Sequence, residues 1–253
     1  MSVTISVVTA VFNRADTVAD ALASVRAQSW PRVEHIIIDG GSTDGTLPIL
    51  QARREQLAAL VSEPDKGIYD ALNKGVLRAT GDVVGFLHAD DLFEAPDSLA
   101  QVAAAFDDPS VDAVYGDLVY VRKDDPAHVV RYWQAGPFVT GCLERGWMPP
   151  HPTFYVRRSV YERLGLFDTR FLISADYESI LRILGRGGVK PAYLPQVLVR
   201  MRLGGISNRS LRNMLRKSTE DYAAMRMNRV GGVSALVRKN LVKLPQFLVR
   251  APG

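Results

Sequence analysis

Two adjacent carboxylates, Asp90 and Asp91, follow the apolar run Val83-Val84-Gly85-Phe86-Leu87 with only His88 and Ala89 between. A run of that length is too short for a helix and suits a strand buried on both faces of a parallel sheet. The acids then stand where the strand emerges, which is where ligands bind in open α/β sheets. One such acid is accounted for as a helix cap or turn residue. Two in a row repel each other and point to a divalent cation with oxygen ligands. A second acidic stretch, Asp39-Gly40-Gly41-Ser42-Thr43-Asp44-Gly45-Thr46, follows the strand-like Val33-Glu34-His35-Ile36-Ile37-Ile38. Its glycines permit a tight turn, and Ser42, Thr43 and Asp44 can cap a helix starting near Thr46.

These groups act together only if strands deliver them to one edge. Residues 5–9 read as a first strand, and residues 16–28 as a helix with Val18, Ala21, Leu22 and Val25 at helical spacing, capped by Asp16 or Thr17. Strands follow at 33–38 and 60–61, then a helix at 67–79 with Ile68, Ala71, Leu72 and Val76 on one face. The strand at 81–91, a helix near 98–106 and a strand at 111–115 complete the first half. This alternation predicts an α/β fold with a mostly parallel central sheet flanked by helices. It brings 9–13, 39–44 and 90–91 to one rim. Beyond 118 the pattern changes to short β-like runs (118–121, 129–133, 197–203), helices at 157–164 and 175–184, and helix again from 210. The expected organisation is one domain over 1–205, with halves 1–117 and 118–205, and a basic helical extension over 206–253.

The 253 residues suffice for a large core, and 47% hydrophobic with 23% charged residues is ordinary for a globular chain. A single cysteine, Cys142, allows no intrachain disulfide and fits a reducing compartment. The opening residues show no basic, apolar leader, and no apolar run reaches the ~18 residues needed to span a bilayer. A cytoplasmic location is expected. Charge is unevenly spread: residues 200–253 carry twelve Lys/Arg against Glu220 and Asp221, a net of +10, whereas the first 199 residues sum to −6. A basic tail on an acidic body points to a polyanionic partner. The stretch 233–244 has apolar residues at helical spacing and only positive charges, which suits either an anionic membrane surface or packing on its own domain.

Taken in order, Ile5-Ser6-Val7-Val8-Thr9-Ala10-Val11-Phe12-Asn13-Arg14, the Asp39–Thr46 loop, Glu63-Pro64-Asp65-Lys66-Gly67-Ile68-Tyr69-Asp70-Ala71-Leu72-Asn73-Lys74-Gly75 and Leu87-His88-Ala89-Asp90-Asp91 resemble the second family of inverting nucleotide-sugar glycosyltransferases. That resemblance implies a GT-A fold and a nucleotide-sugar donor, UDP-linked by expectation. It implies an acceptor hydroxyl on a lipid-linked or polysaccharide molecule, and Mn2+ or Mg2+ as cofactor. Asp39 matches the acid that bonds the donor's uracil or ribose. Asp90 and Asp91 match the pair that meets the ribose and the metal, with His88 where an acid is often found. Thr9, Asn13 and Arg14, at the end of the first strand, are donor-binding candidates by position. In Ser174-Ala175-Asp176-Tyr177, similar to the family's Glu-Asp-Tyr helix start with Ala175 replacing the first acid, Asp176 is the candidate general base. His151, in Pro150-His151-Pro152, resembles a histidine many relatives carry. It is kept with Asp90 and Asp91 as a candidate metal ligand, beside a buried structural role. Arg200 and Arg202 can pair with donor phosphates, and Lys66 less strongly so.

Other classes fit less well. A nucleotidyltransferase or dinucleotide dehydrogenase wants a Gly-rich loop after the first strand, and residues 10–14 contain no glycine. Nucleic-acid binding lacks interleaved aromatics and a recognisable module, so no nucleic-acid partner is expected. The expectation is thus a metal-dependent, inverting glycosyltransferase, peripheral on the cytoplasmic membrane face. The alternative is a nucleotide-sugar-binding protein without turnover, because of His88 and Ala175.

Overall fold

The hydrophobic stripe of the first helix is realised residue for residue: in α1 (Val18–Arg26) Val18, Ala21, Leu22 and Val25 are all buried. A computed structural model describes residues 2–204 and 211–241. Strands β1 (Ile5–Val11), β2 (Val33–Asp39), β3 (Ala59–Ser62) and β4 (Val83–Phe86) pair in parallel in the order β3-β2-β1-β4. Alternate side chains face opposite layers. Val8, Ile36, Ile38, Val84 and Phe86 pack toward α3 (Ile68–Arg78), whereas Val7, Val11, Ile37 and Val83 pack toward α1, α2 (Thr46–Gln51) and α4 (Ser98–Ala105).

Helix α3 buries the expected Ala71, Leu72 and Val76, with Tyr69 in place of Ile68. Tyr69 turns inward and Ile68 is 44% exposed, because the larger Tyr69 ring packs on Phe167 at 5.8 Å between centroids. The helix lies so close to β1 that a Cβ at Gly75 would stand 2.2 Å from Val8 Cγ1. Only glycine permits that approach.

From residue 92 onward five more strands join the same sheet: β5 (Leu92–Phe93), β6 (Ala113–Val121), β7 (Val129–Trp133), β8 (Tyr155–Arg157) and β9 (Pro191–Arg202). The order continues β4-β8-β6-β9-β5, with β7 on β6. β8 is antiparallel to both β4 and β6, β7 to β6 and β5 to β9, while β6 and β9 run parallel. The parallel expectation therefore describes the first half, and the second is mixed, because a link as short as that from β6 to β7 returns the chain antiparallel. β9 begins six residues before the expected 197: its pairing with β6 passes from Leu194 opposite Gly116 to Val197 opposite Asp117, leaving Pro195 and Gln196 in a bulge. A proline within a strand run argues against sheet, which hid the first half of β9.

Helices α5 (Arg158–Leu164), α6 (Ala175–Leu181), α7 (Leu211–Asn228) and α8 (Val233–Leu241) pack on the α3 side, through Tyr161, Ala175, Ala224 and Ala235 among others. The basic C-terminal stretch is accordingly divided. Ala235 and Lys239 of α8 are buried against the domain, and Lys239 pairs with Asp221 of α7 at 2.8 Å. Arg216, Arg226, Arg229 and Arg238 face solvent. The expected features at 205–210 and 242–253, Arg209 and Pro245 among them, lie outside the described residues.

One buried base under the sheet sets a pH dependence. His35 Nε2 meets the Thr9 hydroxyl at 3.0 Å, and burial pushes its pKa from 6.5 down to about 3. Between those values the unfolded chain holds a proton that the folded chain refuses, so stability is full above pH 6.5 and falls with acidification. Urea unfolding between pH 6 and pH 4 is expected to show a slope about 1.4 kcal/mol per pH unit steeper in the parent than in His35→Gln. Equal slopes would contradict a neutral buried imidazole.

Candidate active site

Three loops leave the carboxyl rim of β1, β2 and β4 and are laced to one another. Asn13 adopts a left-handed backbone (φ 51°), a conformation asparagine tolerates better than most residues. There its N–H donates to Ser42 Oγ (2.8 Å), and its side-chain oxygen accepts from Thr43 N (2.9 Å). Gly40 N donates to Val11 O (2.8 Å), and Arg14 N to Thr46 Oγ1 (2.8 Å). Asp44 accepts from Thr46 N (3.1 Å) and Ala15 N (3.1 Å), so it holds the start of α2 against the β1 loop.

Asp39 forms the floor of this rim. It is fully buried, and its carboxylate accepts from the Ser42 hydroxyl and N–H and from Ser62 Oγ (2.6 Å). The expected contact to a base or ribose requires one of those hydroxyls to give way. Thr9 is corrected outright: its side chain faces the layer beneath the sheet and meets His35, so it offers nothing to the crevice.

The β4 rim supplies His88, Asp90 and Asp91. Asp90 is partly exposed and lies 3.8 Å from Arg14 Nε. Asp91 is 1% exposed; Oδ1 accepts from Arg202 N (3.1 Å), and Oδ2 has no hydrogen-bond partner among the described residues. Burial first, and the neighbouring Asp90 charge second, push the Asp91 carboxyl well above the usual carboxylate range. Arg202 is itself buried. It donates to Asp90 O (3.1 Å) and Asp20 Oδ2 (2.7 Å), so it fixes the acid pair from behind and does not present a free guanidinium to a phosphate. Arg200 is taken by Glu94 (2.6 Å) and Pro126 O (3.0 Å) on the β5–β9 edge. In both, carboxylate and carbonyl oxygens of the protein take the terminal guanidinium nitrogens, although Arg202 Nε has no hydrogen-bond partner among the described residues. Lys66 is exposed on the loop after β3.

The second half closes the crevice. His151, on a short 3-10 turn (His151–Thr153), stacks on Phe86 at 5.2 Å and lies 6.1 Å from the His88 ring. Its Nε2 has no hydrogen-bond partner, and burial pushes its pKa down to about 4 against the opposing charge of Asp176. His88 is lowered by burial too, opposed by Asp90 and Asp176. Asp176 in the first turn of α6 is therefore within electrostatic reach of both imidazoles, and its Oδ1 accepts from Tyr69 OH at 3.0 Å. Asp90, His88, His151 and Asp176 form one neighbourhood. Tyr69, which residue type places in the core by default, is buried there, and no sequence signal marks its contact with Asp176.

Comparison with known proteins agrees with this architecture. Residues 6–168 match Glycosyl transferase family 2. An uncharacterized glycosyltransferase of Mycobacterium tuberculosis (strain ATCC 25618 / H37Rv) is 37% identical over 188 residues, covering 71% of this chain and 68% of that protein. A PGL/p-HBAD biosynthesis glycosyltransferase of Mycobacterium bovis (strain BCG / Pasteur 1173P2) is 31% identical over 209 residues, covering 80% of this chain and 78% of that one. Among solved structures, the mannosyltransferase PcManGT from Pyrobaculum calidifontis, in complex with GDP-Man and Mn2+, superposes with a TM-score of 0.68 at 20% identity, over 97% of this chain and 71% of that one. S. aureus TarS gives 0.66 at 20% identity over 97% of this chain, which spans only 43% of TarS. A shorter TarS chain bound to UDP-GlcNAc gives 0.65 at 18% identity, over 97% of this chain and 71% of that one. The family match runs from β1 through the acid pair to the loop before α6, and with such relatives this chain belongs to glycosyl transferase family 2, a glycosyltransferase on a GT-A fold.

Proposed function

We propose that this enzyme is an inverting glycosyltransferase that moves a sugar from a nucleoside-diphosphate donor, UDP-linked in the first instance, to a hydroxyl of a lipid-linked or glycan acceptor. The observation that supports this best is the meeting of Asp90 from one half of the chain with Asp176 from the other, around His88 and His151, with the buried Asp91 beside Asp90. The UDP-GlcNAc and GDP-Man complexes of the structural neighbours support the donor class.

A divalent cation fits the residues present. Asp91 Oδ2 is a buried carboxylate oxygen without a partner, beside a second acid, and that is a position a hard cation relieves. Among the described residues no group of three His, Cys, Asp or Glu forms a complete cage. This suits an ion such as Mg2+, which takes one or two carboxylates and completes its shell from substrate phosphates. Asp90 and Asp91 would hold it, and it would neutralise charge on the departing diphosphate; His151, the third ligand expected from the sequence, completes no group of three with them among the described residues.

The chain's own residues do the rest. Asp176 takes the proton of the acceptor hydroxyl as that oxygen attacks the anomeric carbon, giving single displacement with inversion. Arg14, beside Asp90, balances charge at the donor edge. Phe86, Phe167 and Phe154 wall the inner side and limit water access. Thermal unfolding with UDP-GlcNAc, UDP-glucose and GDP-mannose, with Mn2+ and with chelator, is expected to show stabilisation by one donor that disappears on chelation. Slow hydrolysis of that donor should fall about 10²–10⁴-fold in Asp176→Asn while its stabilisation persists. Stabilisation without any hydrolysis in the parent would favour donor binding without turnover.

An anionic membrane surface is the proposed location of the acceptor. Arg216, Arg226, Arg229 and Arg238 are exposed on and beside α7 and α8, alongside exposed Met214, Leu215, Met227, Val233 and Val237. No helix among the described residues is long and apolar enough to cross a membrane. Since α8 is packed into the domain, removing it would test folding, so the variant is replacement of those four arginines by alanine. Affinity for phosphatidylglycerol vesicles, read by co-sedimentation, should drop by up to about a thousandfold, at about 1 kcal/mol per arginine near the surface. Unchanged vesicle binding would remove the membrane from the proposal.

A further inference from the structure

Asp176 is held from two sides, by Glu220, which no motif marks, and by Tyr69 of the 63–75 motif. On one side stands Glu220 of α7. Its Oε2 accepts the N–H groups of Ile173 (2.8 Å) and Ser174 (3.0 Å), the two residues that lead into α6. The next residue of α7, Asp221, pairs with Lys239 at 2.8 Å, both side chains being 3% exposed. Lys239 Nζ in turn lies 3.1 Å from the centre of the Tyr177 ring, directly after Asp176. The two acids of the basic tail thus tie it to the turn that presents Asp176. On the other side stands Tyr69 of α3, whose hydroxyl lies 2.7 Å from Ile173 O and 3.0 Å from Asp176 Oδ1.

A phenol has one proton, and here it has two acceptors. It donates to one at a time. We propose that Glu220 and Tyr69 are positioning residues for Asp176: Glu220 fixes the turn that aims the carboxylate, and Tyr69 absorbs the change in hydrogen bonding when the carboxylate gains a proton. The inference rests on Asp176 being the base. Before reaction, Tyr69 donates to the ionised Asp176. As the acceptor O–H bond breaks and its proton forms a new O–H bond on Asp176, the Tyr69 proton turns to Ile173 O, and the new carboxyl O–H can donate to the Tyr69 oxygen. Tyr69 keeps its own proton throughout, and burial together with the Asp176 charge pushes its pKa up, which favours this. The C-terminal helices are, on this view, part of the catalytic apparatus.

The test uses the full chain with Tyr69→Phe, Glu220→Ala, Glu220→Gln and Asp176→Asn. Hydrolysis is followed on whichever of UDP-GlcNAc, UDP-glucose or GDP-mannose the parent turns over, and UDP affinity is measured by calorimetry. Tyr69→Phe should lower kcat at least tenfold, with donor KM and UDP affinity within twofold of the parent. Glu220→Ala should do the same, and Glu220→Gln should recover most of the loss, because its amide oxygen accepts the same two N–H groups. If kcat stays within twofold in both Tyr69→Phe and Glu220→Ala, or if UDP affinity falls in step with kcat, the proposal is overturned. A glutamine variant as poor as the alanine variant also overturns the role given to Glu220. Should Glu220→Ala fail to fold, Tyr69→Phe, which keeps the ring on Phe167, decides alone. Full turnover by Asp176→Asn would instead defeat the base reading itself.

Discussion

A carboxylate withdrawn from water must find donors or a cation, and this constraint organises the molecule around its crevice. Most of its buried acids find protein partners. Asp39 takes the hydroxyls of Ser42 and Ser62; Asp117 takes Tyr132, Tyr193 and Ala135 N. Glu178 pairs with Arg182 and accepts from Asn228, and Asp221 pairs with Lys239. Asp91 stands apart among these. One of its oxygens accepts from Arg202 N, the other is left without a partner, and Asp90 adds a second negative charge beside it. Asp221 Oδ1 also lacks a hydrogen-bond partner among the described residues, but Lys239 stands against that carboxylate, whereas Asp91 is met by a backbone N–H and a second acid at the rim where the sheet opens.

Two halves of the chain meet at that point, and the joints between them are polar. Arg202 of β9 holds the backbone and carboxylate of the acid pair that β4 delivers. Tyr69 of α3 reaches the turn before α6, and Asn73 of the same helix exchanges hydrogen bonds with Phe167 N and O, both at 2.9 Å. The motif 63–75 therefore does more than shape the donor rim. Its helix packs on β1, where Gly75 meets Val8, and reaches the loop before α6 through Tyr69 and the loop after α5 through Asn73, so one element joins the first-half sheet to the turn that presents Asp176.

The fold of the first half was legible because its signals are periodic and local. Continuous apolar runs made β1, β2 and β4, and the α1 stripe was complete. Legibility failed where tertiary packing overrode local pattern. Pro195 masked half of β9, and Tyr69 displaced Ile68 because an aromatic partner, Phe167, waited about a hundred residues away. At the site, acids proved easier to place than bases. Asp90 and Asp176 both bear on His88, and Asp91 lies buried beside Asp90, whereas Thr9, Arg200 and Arg202 are committed to interior or edge contacts that residue type alone does not reveal. The C-terminal tail shows the same limit. Its twelve bases drew attention to a polyanion, while the two acids among them, Glu220 and Asp221, mark where α7 is fastened to the site.

Asp90 and Asp91, whose Oδ2 has no hydrogen-bond partner among the described residues, would hold a divalent cation that would offset the charge of a nucleoside diphosphate. Calorimetric titration of UDP into the protein, with Mn2+ and then with chelator, tests it most directly. UDP affinity is expected to fall at least tenfold on chelation in the parent and to become indifferent to Mn2+ in Asp91→Ala. Equal affinity with and without the metal in the parent, or an undiminished metal effect in Asp91→Ala, would contradict the account.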